Sequence, residues 1–160
     1  MENKNSIIES FNMGQELDNY MFIKLKSKSE NEKLARNLVA SFLIDSNPSV
    51  ELLNDVKTAV SEAVTNSIVH GYGHSTGEIL IEAKLKGDNI YIKIEDSGVG
   101  IKDIKEAMQP FFTTGKEGER SGMGFTVMET FMDEIKVYNK TEGTGLVVEM
   151  AKQLKAGYDN

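Results

Sequence analysis

Glu62, Asn66 and His70 recur at intervals of four, so on a helix they form one polar stripe offering a carboxylate, an amide and an imidazole. A carboxylate there can accept a proton, and an amide oxygen can ligate a Mg²⁺ that bridges phosphates. Alone, such a stripe also reads as the solvated face of a helix. Two glycine motifs further along favour a nucleotide pocket. In Glu95-Asp96-Ser97-Gly98-Val99-Gly100 an acid ends an apolar run. Its carboxylate can accept a hydrogen bond from an exocyclic base amine, which adenine has where guanine carries oxygen, while Gly98 and Gly100 let the main chain turn close to a ring. In Ser121-Gly122-Met123-Gly124-Phe125 the glycines precede a helical stretch, so N–H groups at its positive end can bind phosphate oxygens. ATP is the ligand these residues suit best.

Arg120 is the basic residue placed to meet the terminal phosphate, whereas Lys116 reads as a solvated loop charge. His70 lies at the helix end, where a cap or packing role is commoner than phosphoacceptance. The Asp96 motif is not a dinucleotide-binding fingerprint, because a third glycine and a strand–helix–strand setting are missing. Met108, Met123, Met128 and Met132, with Phe111, Phe112, Phe125 and Phe131, read as packing residues.

The elements that must carry these residues follow from periodicity. Residues 20–26 alternate as an edge strand. Ser29-Glu30-Asn31-Glu32 resembles a capped helix start, and apolar residues at helical spacing carry that helix to about residue 44. After Pro48 a longer helix is expected over residues 50–70, stopped by Gly71 and Gly73. Residues 79–85 and 90–94 form a hairpin around Gly87-Asp88-Asn89. Residues 101–120 read as a loop with a short helical stretch at 103–108, a segment able to cover a ligand. A helix over 124–132 and strands over 135–139 and 146–150 complete the order. Helices followed by antiparallel strands predict an α+β fold, a two-layer sandwich with a mostly antiparallel sheet covered on one face by helices. Residues 1–18 read as a mobile extension, 19–155 as a single domain and 156–160 as a tail.

Composition bounds the function. A chain of 160 residues suits one domain with a full core. A net charge of −7 and a pI near 4.9 argue against direct nucleic-acid binding and mildly favour a basic protein partner. The absence of cysteine excludes disulfides and thiolate metal sites, and two histidines are too few for a His-rich metal centre. No apolar run reaches membrane-spanning length and the opening residues lack a signal pattern, so no membrane contact and a cytoplasmic location are expected.

In order, these motifs resemble those of the ATP-binding superfamily shared by Hsp90, gyrase, histidine kinases and MutL. Glu62-Ala63-Val64-Thr65-Asn66 is similar to its N box, and Asp96-Ser97-Gly98-Val99-Gly100 and Ser121-Gly122-Met123-Gly124 to its two glycine boxes. Val60-Ser61-Glu62, Gln109-Pro110-Phe111-Phe112-Thr113-Thr114 and Glu119-Arg120-Ser121-Gly122-Met123-Gly124-Phe125 look like the sporulation anti-sigma-F family of serine protein kinases. The likeness spans about residues 20–153. It implies a Bergerat-type ATP-binding fold and a homodimer that sequesters a sigma-F-type sigma factor and uses Mg-ATP to phosphorylate a serine on an anti-anti-sigma factor. Carried over, Glu62 is the base, Asn66 the Mg²⁺ ligand, Asp96 the adenine contact and Arg120 the γ-phosphate contact. Ser121, Gly122, Met123, Gly124 and Phe125 line the phosphates, Thr144 is a second adenine-site residue, and Arg36 contacts a partner. The extension before Tyr20 and the glycine-rich Gly115-Lys116-Glu117-Gly118 depart from the family pattern. An ATPase, a histidine-kinase-type catalytic domain and a non-catalytic ATP-dependent binding module are the alternatives on the same pocket.

Overall fold

Alternation of Ile79, Ile81, Ala83 and Leu85 with polar neighbours makes β2 (Glu78–Lys86) one-faced, and Ile90, Ile92 and Ile94 do the same for β3 (Asn89–Asp96). The two pair antiparallel, with Ile81 opposite Ile94 and Ala83 opposite Ile92. The computed structural model describes residues 5–73, 75–110 and 124–154. Among these, β1 (Asn19–Lys26), β4 (Glu134–Asn139) and β5 (Leu146–Gln153) complete a five-stranded sheet in the order β1-β2-β3-β5-β4, antiparallel throughout. Helices α2 (Glu30–Leu43), α3 (Val50–Asn66) and α5 (Gly124–Phe131) lie on its inner face. This is the α+β two-layer sandwich expected from the order of elements.

One apolar cluster joins the layers: Ala35, Val39 and Leu43 of α2, Val56, Val60 and Val64 of α3 and Met128 of α5 pack on the inward residues of the sheet. Several of these are fully buried, and each such aliphatic side chain contributes roughly 1.5–3 kcal/mol. Met132 and Phe125 also bury in this core, with Met108 packed at its edge, as expected of packing residues. Lys152, buried on β5, donates to Phe131 O at 2.6 Å and pairs with Asp55 of α3 at 3.7 Å, a polar tie between the layers.

The topology matters for the site. From β3 the chain crosses through the short α4 (Ile104–Ala107) and α5 to the far edge strand β4, then returns as β5 between β4 and β3. The start of β5 is thereby set beside the end of β3, one step past the pair Glu95 and Val147.

Three local expectations differ from the structure. Ser29 makes no side-chain capping bond; Asn31 donates instead to Lys26 O at 2.8 Å, and the Glu32 carboxylate accepts from the Ser61 hydroxyl of α3 and so does not fold back on its own helix start. The capping role expected there is taken in α3 by Ser49, which accepts from Leu52 N at 3.1 Å. The long helix stops as an α-helix at Asn66 and continues as a π turn, Ser67–Gly71, in which Tyr72 N donates to Ser67 O at 3.0 Å. Finally, the reading of residues 1–18 as a mobile extension did not anticipate α1 (Ile7–Asn12). Ile8 and Phe11 bury against Tyr91 and Ala151 on the sheet's outer face, and Phe11 stacks on Tyr91 with ring centroids 5.5 Å apart. Six scattered residues are too few to show a period, so only the sheet partner reveals the amphipathic face.

Candidate functional site

The site is assembled where α3 gives way to the π turn, β3 ends and β5 begins. Asp96, the last residue of β3, points inward and is only 2% exposed. One carboxylate oxygen accepts from Gly98 N at 3.0 Å and Leu146 N at 3.2 Å, and the other from Ser67 Oγ at 2.8 Å. An ionised carboxylate has about four acceptor positions, so three donors leave one for a ligand amine. The main chain closes around it: Val99 N donates to Gly71 O at 2.9 Å, and a Cβ on Gly98 would stand 2.1 Å from that same oxygen, so only glycine fits.

An open cleft of about 500 Å³ is lined by Gly71, Tyr72, Ser97, Gly98, Val99 and Thr144 among others, so it borders the two residues that follow Asp96. Thr144, in the turn before β5, donates to Ser97 O at 3.5 Å, so it borders the cleft beside the residue that follows Asp96. Gly100 sits further round the same turn, with its φ at +70° and the Asn139 side chain against it.

Glu62 and Asn66, both half-buried on α3, converge on the first residue of α5. A Cβ on Gly124 would lie 3.1 and 3.3 Å from the Asn66 amide atoms and 3.3 Å from a Glu62 carboxylate oxygen. A carboxylate and an amide oxygen therefore face the N-terminal end of a helix, where unpaired N–H groups favour phosphate. Asn66 offers an amide oxygen and Glu62 a carboxylate oxygen, hard donors of the kind that can complete the shell of a phosphate-bound Mg²⁺. The donor set fits a metal–nucleotide.

His70 does not share the stripe. The π turn widens the helix just after Asn66, and His70 is exposed. Phe125 sends its side chain into the core and can offer a ligand only its main chain. Arg36 is on α2, 3.6 Å from Glu32. Arg120, Ser121, Gly122 and Met123, with Lys116, Phe111 and Phe112, fall outside the described residues. Sequence reasoning missed Ser67, Gly71 and Tyr72. Ser67 directly follows the Asn66 box, but a serine inside a helical run carries no sign that it will donate to a strand carboxylate.

The family model described as the histidine kinase-like ATPase domain matches residues 25–152. The anti-sigma F factor of Thermoanaerobacter sp. (strain X514) is 52% identical over 139 residues, covering 87% of this chain and 96% of that protein. That of Clostridium kluyveri is 53% identical over 133 residues, covering 82% and 94%. Among solved structures, the RsbU and RsbW domains of Rv1364c from Mycobacterium tuberculosis superpose with a TM-score of 0.61 at 18% identity, over 85% of this chain and 32% of that one. The catalytic domain of histidine kinase ThkA gives 0.54 at 18% identity, over 84% and 96%, a likeness of fold alone. With its Asp96, Glu62 and Asn66 in the arrangement described above, the chain belongs to the histidine kinase-like ATPase domain family and, within it, to the anti-sigma F factors.

Proposed function

We propose that this protein is an anti-sigma factor and an ATP-dependent serine protein kinase: it binds and inhibits a sigma-F-type sigma factor and, with Mg-ATP, phosphorylates a serine of its anti-anti-sigma antagonist. The relatives at about half identity carry the anti-sigma F name, which supports the regulatory half of this reading. The observation that carries the catalytic half is the convergence of Glu62 and Asn66 on the Gly124 end of α5, one residue along from Ser67, which holds the adenine-type carboxylate of Asp96.

Bound Mg-ATP would supply the phosphoryl group and offset the charge that builds on it. Asp96 and Thr144 would orient the base, Asn66 would hold the cation, and the amides at the start of α5, together with Arg120, would bind phosphate oxygens. Glu62 would accept the proton of the incoming serine hydroxyl. Most of the rate then comes from positioning. Arg36, half-buried on α2 beside Glu32, is proposed as a contact for the sigma or anti-anti-sigma partner, and the working unit is proposed to be a cytoplasmic homodimer.

Labelled ATP tests the reading directly. With an anti-anti-sigma protein present, label is expected on a serine, and Glu62→Gln is expected to abolish transfer while ATP still binds. Label on histidine would assign a histidine-kinase-type activity, and release only as free phosphate an ATPase. ATP-dependent sigma capture with no transfer to any protein would leave a binding module. An active Glu62→Gln protein would remove Glu62 from the mechanism.

A further inference from the structure

We propose that Tyr72 is a positioning residue that fixes the adenine end of the site, an inference that rests on the nucleotide reading above. Tyr72 follows the π turn, and its N–H donates to Ser67 O at 3.0 Å. Its hydroxyl donates to Glu78 O at the start of β2 and accepts from Ser97 N at 2.7 Å. The ring lies against Gly77, where a Cβ would come within 2.0 Å of it, so the phenol is held along its side as well as at its tip. Only a residue without a side chain leaves room for that ring.

These contacts form a closed circuit. Ser67 holds Tyr72 through its carbonyl and Asp96 through its hydroxyl; Tyr72 holds the amide of Ser97, and Ser97 is covalently the next residue after Asp96. Lys140, paired with Glu95 at 3.3 Å, donates to Ser97 Oγ at 3.1 Å and steadies the same residue from the outer face. The circuit fixes the direction of the one open acceptor position of Asp96. Glu62 and Gly124 lie outside it, so Tyr72 governs how the base is seated and not the transfer step. Without the hydroxyl, the Ser97 amide would face the open cleft that both residues line, and water would replace a fixed partner.

Tyr72→Phe keeps the ring on Gly77 and removes the hydroxyl. Loss of a hydrogen bond of ordinary strength predicts an ATP dissociation constant raised about three- to tenfold by calorimetry. The preference for ATP over inosine triphosphate, which lacks the amine, narrows by a similar factor, and the loss falls on the KM for ATP more than on turnover at saturating ATP. In the nucleotide-free protein the Ser97 amide should exchange with solvent faster than in wild type. Gly77→Ala, which pushes the ring away, should reproduce these effects, and the double variant should add nothing further. Unchanged affinity, base preference and Ser97 exchange in Tyr72→Phe would overturn the assignment, as would additive losses in the double variant or a fall in turnover that merely tracks lost thermal stability. Wild-type protein that takes up no ATP in the same titration would instead defeat the nucleotide reading itself.

Discussion

At the scale of single residues, the decisive feature is a buried carboxylate surrounded by donors. Asp96 accepts from two main-chain amides on one oxygen and from the Ser67 hydroxyl on the other, an arrangement that suits a carboxylate. Asp96→Asn can keep its carbonyl oxygen on the two amides and turn its NH₂ toward the Ser67 hydroxyl, which rotates to accept, so a donor replaces the open acceptor position. The variant is expected to destabilise the fold by about 1–3 kcal/mol in urea titration and to weaken ATP at least about tenfold, since an NH₂ cannot accept from the base amine and the charge is lost. Ser67→Ala removes one donor and leaves the other two. A smaller loss of about 1 kcal/mol is expected, and equal effects for the two variants would show that the charge is unimportant. The sequence singled out Asp96 as an acid between an apolar run and spaced glycines, a pattern that a plain turn at a strand end shares. The partner Ser67 was not singled out, because the bond crosses 29 residues from a helix end to a strand end.

At the scale of elements, alternation and turn chemistry gave the hairpin of β2 and β3 correctly, while helix ends were missed wherever a tertiary partner decided them. The stripe of Glu62, Asn66 and His70 assumed a constant 3.6-residue period. The π turn breaks that period one residue after Asn66, so two of its members face Gly124 and the third faces solvent. α1 was missed for a related reason, its stability residing in its contacts. Glu134 of β4 accepts from the amides of Ile7 and Ile8 at 2.7 and 2.9 Å and from the Ser6 hydroxyl at 2.8 Å. Burial opposes the ionised form, but these donors outweigh it and hold the Glu134 carboxyl below its ordinary value of 4.5. A depressed carboxylate stabilises the docked helix above its unfolded value, and that contribution is lost as the pH falls through the folded value. Acidification through the lowered folded value, below the ordinary 4.5, is therefore expected to loosen α1. The loss of ring contacts between Phe11 and Tyr91 by NMR would report it, and Glu134→Gln should loosen α1 already at neutral pH. Contacts that persist in that variant would show that the apolar seat alone holds α1.

At the scale of the whole molecule, the candidate site joins the two layers of the sandwich. Glu62, Asn66 and Gly124 belong to the helical layer, whereas Asp96, Gly98 and Thr144 belong to the ends of the strands. A nucleotide seated across both would be a cross-brace that the unfolded chain cannot bind, so its free energy of binding adds to stability by mass action. At one hundred times its dissociation constant the gain is about 2.7 kcal/mol. In a domain of this length each kcal/mol raises the melting temperature by about 2–4 °C, so Mg-ATP at that excess should raise it by roughly 5–11 °C in a thermal scan. Because the cation would be shared between Asn66 and phosphate oxygens, chelating Mg²⁺ should remove part of that rise, and Asn66→Ala should remove the same part and become insensitive to chelation. A ligand confined to the strand ends would stabilise equally with and without Mg²⁺ and be indifferent to Asn66. That result would detach the helical layer from the nucleotide, and with it the role proposed for Glu62.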